Sequence, residues 1–391
     1  MPEHAASSID RLSGLLIERV DVFAVRLPTK AAFAIAGGTV TSADSTTTRI
    51  LVRVEAGDHA GWGEATPTPA WTYETAESIF TTIDRYLGPA IVGHPVWDLD
   101  GVARRFDTVI NRGISIGAPL AKSAVDLALH DLVGRALGVS VGELWGQRRR
   151  DDIELGWIVS GDSPEAAIAA VAEGRDRGYR HFKVKVGMHR VADELAMVRA
   201  VRDQAPDGQL WIDGNQGFTL DGALSLARSL ADVGVVAFEQ PLPANDLAGL
   251  GRLRAASPVP IALDESLRHP SDLVAALRLD ALDIAIAKVQ RSGGLLLSRR
   301  LCQYAEDAGL GIMGSGLTDT ELGFAASLHL FAAFGLDTAV DLNGRQFVES
   351  SYVAGDGVRV EQGVATVPDA PGLGVDVDET AVAELSFDLF A

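Results

Sequence analysis

Two kinds of hydrophobic spacing divide the chain. Near the start, "LIERVDVFAVRLP" alternates apolar and polar positions, as a half-buried strand does, and "TTTRILVRVEAGDHAGWGEA" reads as a hairpin turning at "AGDHAG". The period then becomes helical, through "ETAESIFTTIDRYLGPAIV" and "PLAKSAVDLALHDLVGRALG", the latter closing at Gly138 as a helix cap. Beyond residue 150 the texture changes again. Short apolar runs recur: "IELGWIVS", "HFKVKV", "QLWID", "VVAFE", "PIALD", "DIAIAK", "GIMGS" and "TAVDL". Helical stretches such as "SPEAAIAAVAEGRDRG" and "GLLLSRRLCQYAEDAG" separate them. Eight strand–helix units predict an α/β fold closed as a (β/α)8-type barrel, preceded by a smaller α+β domain. The expected organisation is a capping domain over 15–145, a barrel over 150–350 and a C-terminal segment, 351–391, packed back on the first domain. Residues 1–14 read as a loose polar tail.

Composition narrows the function. A formal net charge of −19 argues against nucleic-acid binding, because phosphates are repelled. No apolar run approaches the roughly 20 residues of a membrane helix, and the start has no basic stretch followed by an apolar core. Cys302 is the sole cysteine, so no intrachain disulfide forms. These features point to a cytoplasmic protein, and they do not argue against a small anionic substrate, because the local charge at a site decides that.

The barrel runs end in chemistry. In "HFKVKVG" Lys183 and Lys185 share one face of a strand, where two buried ammonium groups are costly. The following runs end in Asp213, Glu239, Asp264, Lys288 and Asp341. Taken singly, such residues are more often caps, turn residues or solvated lysines. In a barrel, however, the strand C-termini form one rim, where active sites are built. Three carboxylates from consecutive strands repel one another unless a hard cation lies among them, and Mg2+ takes oxygen ligands. Asp213, Glu239 and Asp264 are therefore the candidate metal ligands for Mg2+, with Mn2+ as a substitute. The lysines face each other across that metal.

This arrangement resembles the enolase superfamily, specifically its muconate lactonizing enzyme subgroup. The resemblance runs from about residue 15 to 385. It rests on "GWGEATPTP", Lys183-x-Lys185, Asp213-x-Asn215, "FEQPLP", "ALDES", "KVQRSGG" and "VPDAPGLGVDVDE". The mandelate racemase subgroup uses a His–Asp pair where this chain has Lys288, and His329 falls in a helical run, "AASLHLFAAF", as a packed residue. The resemblance implies a small carboxylate substrate and a homo-oligomer. It also implies specificity read by first-domain loops and the last strands. "PTKAAFAIAGGTVTS" (28–42) is then an aperiodic, mobile lid, and Trp71 and Tyr73 close over the substrate as an apolar cover or as a cage for a quaternary amine. Two departures bear on substrate binding. Asp319 stands where relatives carry a glutamate, and "DLNG" keeps Asp341 but has Asn343 where dipeptide epimerases have a second aspartate.

A proton α to a carboxylate is weakly acidic, and its removal yields an enediolate. Mg2+ neutralises that charge. A lysine with an ordinary pKa near about 10.4 is a poor base at neutral pH. Lys183 and the metal depress Lys185, which explains the adjacent pair. Lys288 serves the opposite face, Asn215 orients Lys185 or the ligands, and Glu265 either pairs with a lysine or starts a helix. The expected activity is a Mg-dependent isomerase, first a racemase or epimerase of an amino-acid derivative. A muconate-type cycloisomerase and a syn-dehydratase follow. Schiff-base aldolase chemistry on Lys185 or Lys288 and a non-catalytic metal-stabilised binding protein are the competing classes.

Overall fold

The computed structural model describes residues 12–391. Most of the segment expected to be a polar tail therefore lies outside the described residues. The first domain is built on β1 (Arg19–Pro28). A two-stranded hairpin, β2 (Phe33–Ile35) and β3 (Gly38–Thr41), follows it. Next come β4 (Thr46–Ala56) and β5 (His59–Ala65). Strands β1, β4 and β5 form an antiparallel sheet in that order, with Val54 opposite Val20 and Gly61. The alternating sequence "TTTRILVRVEA" thus becomes β4, and the expected turn falls at residues 57–58.

A long helix, Pro119–Leu137, covers this sheet. Proline opens it where a missing N–H costs nothing, and Gly138 ends it at φ +72°. It is buried on nearly every side because it lies between β4 and β5 and the barrel helices Leu295–Asp307 and Glu321–Phe334. Gly61 and Gly63 permit its close approach, since a Cβ on Gly63 would lie 2.1 Å from the Ala124 carbonyl oxygen. The stretch from Ala76 to Ile91 is helical, as expected, with a π turn over Ile83–Leu87.

The second domain begins with β6 (Asp152–Glu154), which pairs with C-terminal strands. Seven parallel strands follow in sequential order: β7 (Gly156–Val159), β8 (His181–Lys185), β9 (Leu210–Asp213), β10 (Phe238–Glu239), β11 (Ile261–Leu263), β12 (Ile284–Ala287) and β13 (Gly311–Gly314). The eighth run is reduced to two parallel bridges, Leu155 to Val340 and Ser315 to Asp341, which close the curl. Val340 N donates to Glu154 O, and Gly156 N donates to Val340 O, both at 2.9 Å. Small and large residues fill the interior: Trp211, Ala237, Ala262, Ile286, Met313 and Ala339. Gly156 is required here, because its absent Cβ would lie 2.2 Å from the Trp211 ring. The fold is the expected α/β barrel with a capping domain.

The C-terminal segment touches both parts. Strands β14 (Val360–Glu361) and β15 (Val364–Thr366) extend β6, while Phe387 N donates to Ala24 O of β1. Cys302 is buried in its helix. His329 is also buried, its Nε2 at 3.3 Å from Leu373 O, and burial pushes its pKa down to about 4. Among the described residues no helix is long and apolar enough to cross a membrane.

Candidate active site

Strand alternation delivers the site. Residues 183, 185, 211 and 213 share the inner faces of β8 and β9, Trp211 in register with Lys183 and Asp213 with Lys185. Lys183, Lys185 and Lys288 are 0, 1 and 2% exposed, which removes the reading of solvated surface lysines. Lys183 Nζ meets Asp213 Oδ2 at 2.9 Å, Glu239 Oε1 at 2.9 Å and Asp341 Oδ2 at 2.7 Å. Lys185 Nζ donates to the same Asp213 oxygen at 2.7 Å and to Asn215 Oδ1 at 3.1 Å. Across the rim, Lys288 Nζ donates to Asp264 Oδ2 at 2.6 Å.

These contacts set the charge states. Burial pulls Lys183 down, but Asp213, Asp341 and Glu239 overcome it and hold its pKa well above the usual value. Burial lowers Lys288; Asp264 opposes that, while Arg291 and Lys183 reinforce it, and the outcome is a lowered pKa. Burial would raise Asp213, yet Lys183 and Lys185 keep it well below the usual carboxylate range. Glu239 goes the other way, pushed up to about 8 by burial and by Asp213.

Asn215, in the left-handed region at φ +37°, links two layers. It accepts a hydrogen bond from Lys185 Nζ at Oδ1 and donates from Nδ2 to Glu265 Oε1 at 3.1 Å. Glu265 is buried beside the rim, and the next helix starts only at Pro270, so it is not a helix-start residue. Its Oε1 also accepts the Trp71 indole N–H at 3.2 Å. The Trp71 ring lies under three cations, Lys288 Nζ at 4.7 Å, Arg291 at 5.4 Å and Lys185 Nζ at 5.6 Å from its centroid. The protein's own charges therefore lie over its ring. Tyr73 is exposed at the rim, within 3.3 Å of Gln216 Nε2 and under the Arg268 guanidinium. The segment expected to be an aperiodic lid is the β2–β3 hairpin. Phe33 is buried there, stacking on Phe347 at 4.6 Å and reaching the edge of Trp71. Lys185 Nζ is 5.5 Å from the Phe33 ring.

Asp341 points inward, holding Lys183 at Oδ2 and accepting from Asn343 Nδ2 at 2.7 Å. Asp319 does not reach a lysine amine. Its Oδ1 accepts from Gln290 Nε2 at 2.8 Å and from Leu317 N, and burial with nearby Glu64 pushes its pKa up to about 7. Glu321 is tied to Arg345 and Val358 N, a structural anchor for the C-terminal segment.

Sequence reasoning did not single out Arg291, Gln290, Glu64 or Arg49. Arg291 Nη1 lies 3.1 Å from Asp264 Oδ1. Glu64 of β5 gathers Thr320 N, the Thr320 and Tyr352 hydroxyls and Gln290, and Arg49 reaches Thr318 O. The available signal was the presence of Gln and Arg in "KVQRSGG" and of Glu in "GWGEA", polar groups inside otherwise buried runs.

The donor set fits a hard cation. Asp213, Glu239 and Asp264 offer only oxygens, and buried Asp264 Oδ1 makes no hydrogen bond. Five buried carboxylates (Asp213, Glu239, Asp264, Glu265, Asp341) face four buried cations (Lys183, Lys185, Lys288, Arg291). Among the described residues no three His, Cys, Asp or Glu side chains are already drawn into a ligand cluster. The lysine amines lie against the carboxylates instead.

Family models match both parts of the chain: the N-terminal domain of mandelate racemase / muconate lactonizing enzyme over residues 18–146, and the enolase C-terminal domain-like model over 166–381. A muconate cycloisomerase 1-2 of Acinetobacter lwoffii is 32% identical, covering 95% of this chain and 96% of its own. An N-succinyl-L-Arg/Lys racemase of Bacillus cereus is 27% identical, covering 95% and 98%. The crystal structure of a muconate lactonizing enzyme from Pseudomonas fluorescens, complexed with muconolactone, superposes with a TM-score of 0.88 at 30% identity, covering 95% of this chain and all of that one.

Proposed function

This chain belongs to the mandelate racemase/muconate lactonizing enzyme family of the enolase superfamily, a family of metal-dependent enzymes with isomerases among this chain's relatives, and from that premise we propose that it removes and returns the α-proton of a small carboxylate substrate. The observation that carries this reading is the convergence of Lys185 and Lys288, from β8 and from the end of β12, on one indole ring. Two amines that approach one region from different strands can act on opposite faces of a single carbon.

The chain's residues divide the work. One lysine takes the α-proton at Nζ, and the other delivers a proton to the opposite face. Asn215 fixes the direction of Lys185, and Lys183 holds Asp213, Glu239 and Asp341 in place. Trp71 and Phe33 exclude water over the amines. Asp213, Glu239 and Asp264 are the residues that would hold Mg2+. When bound, the ion supplies positive charge to the substrate carboxylate and to the charge that develops on it.

Racemisation or epimerisation of an amino-acid derivative is the reading we favour. Asp341 is already engaged by Lys183 and Asn343. A substrate whose nitrogen is acylated needs no carboxylate there, so it suits the site better than a free dipeptide. The 32% identity to a muconate cycloisomerase supports a second reading, in which one lysine is only an electrostatic partner.

The test is proton NMR in D2O with Mg2+ and a panel of N-acyl amino acids, dipeptides and betaines. The expected result is loss of an α-proton signal with the intact protein. Exchange should be slower by about 10²–10⁴-fold in Lys185→Ala and in Lys288→Ala. No exchange across the panel, with turnover of cis,cis-muconate instead, would replace racemisation by cycloisomerisation.

A further inference from the structure

Arg291 is buried at 3% exposure, and among the described residues neither Nη1 nor Nη2 has a hydrogen-bond partner. Its Nη1 lies between two carboxylate oxygens that also lack hydrogen-bond partners: Asp264 Oδ1 at 3.1 Å and Glu265 Oε2 at 3.9 Å. Nη1 and Asp264 Oδ1 meet only as an ion pair, and Nη2 and Glu265 Oε2, left without partners in a buried place, are costly in a fixed arrangement. They are reasonable if the arrangement has two settings. Asp264 is doubly occupied, Lys288 taking Oδ2 and Arg291 facing Oδ1. A divalent cation at Asp264 must therefore displace positive charge. Glu265 offers a nearby berth, because Trp71 and Asn215 hold its Oε1 and leave Oε2 turned to the guanidinium. The face of Trp71 lies under Arg291 and can support it in either position.

We propose that Arg291 is a built-in counter-charge that occupies Asp264 until a divalent cation arrives and then transfers to Glu265. Arg291 and Glu265 are thus positioning residues that set cation affinity without binding the cation. The inference rests on the metal assignment made above.

The test is a titration of Mn2+ into the purified protein, read by electron paramagnetic resonance of free Mn2+, for Glu265→Gln, Arg291→Met and the double variant. Glu265→Gln removes the berth and should weaken Mn2+ by about tenfold or more. Arg291→Met removes the competitor and should tighten binding. In the Arg291→Met background, Glu265→Gln should no longer matter. If Glu265→Gln weakens Mn2+ equally in both backgrounds, Glu265 acts only through its charge and the transfer is overturned. Crystal structures of the unsubstituted protein with and without Mn2+ give a check that needs no variant to fold. The guanidinium should leave Asp264 Oδ1 for Glu265 Oε2, and one that stays on Asp264 beside bound Mn2+ overturns the proposal. Failure of the unsubstituted protein to bind Mn2+ overturns the metal assignment and the transfer together.

Discussion

The two lysines of β8 are bound to one carboxylate oxygen, Asp213 Oδ2, and this explains how two ammonium groups are tolerated in a barrel interior. A buried charge is retained when opposite charge and hydrogen bonds surround it. The same accounting makes Asp319 a sensor of pH. Burial and Glu64 push it up to about 7 from an ordinary 3.8. Between those values the folded protein keeps a proton that the unfolded chain releases. Its stabilising contribution is fully present below the unfolded value and is lost as pH rises through about 7, at most about 1.4 kcal/mol per pH unit. Urea denaturation at pH 5 and pH 8 without added metal should show this fall, and Asp319→Asn should flatten it. An unchanged fall in the variant would assign the retained proton to another group. The residue types at the rim were legible in the sequence because each ends an apolar run. Arg291 was not, since its meaning depends on Asp264 and Glu265 coming from another strand.

At the level of elements, the seam between β5 and the long helix depends on two glycines on one strand face. A Cβ on Gly61 would stand 2.2 Å from Ala128 O, and on Gly63 2.1 Å from Ala124 O. These are backbone atoms of a buried helix and cannot turn aside. Gly63→Ala should therefore destabilise the fold by about 1–3 kcal/mol or more, seen as a lower midpoint in chemical denaturation. Glu64, the next residue, then loses its alignment with Thr320 and Tyr352. A variant with the parent midpoint would mean that the helix shifts freely. Alternation predicted β4 and β5, and helical period predicted their cover. The hairpin within the expected lid was not foreseen for a local reason: strands of three and four residues carry too little period to be seen, and the burial of Phe33 depends on Phe347, more than 300 residues away.

For the whole molecule, the capping domain and the barrel share one apolar cluster. It runs from Ile17 and Ile50 through Leu127 to Phe331 and Phe347. Polar ties cross the same boundary, from Arg49 to Thr318 and from Glu64 to Thr320, Tyr352 and Gln290. The two parts should unfold together, as one calorimetric transition. Two resolved transitions would show that the seam contributes little. Such a seam also keeps Trp71, a first-domain residue, seated over lysines of the second.

The sequence by itself determined the strand–helix alternation, the barrel architecture and the residues that end its strands, because each of these follows from local period and from which side chains interrupt an apolar run. Tertiary structure decided which charges meet. Lys183 bridges three strand ends, Asp341 turns inward, Asp319 joins Gln290 instead of a lysine, and Trp71 spans two amines. Electrostatic energies depend on distances of a few ångströms between residues far apart in the chain, and barrel closure sets those distances.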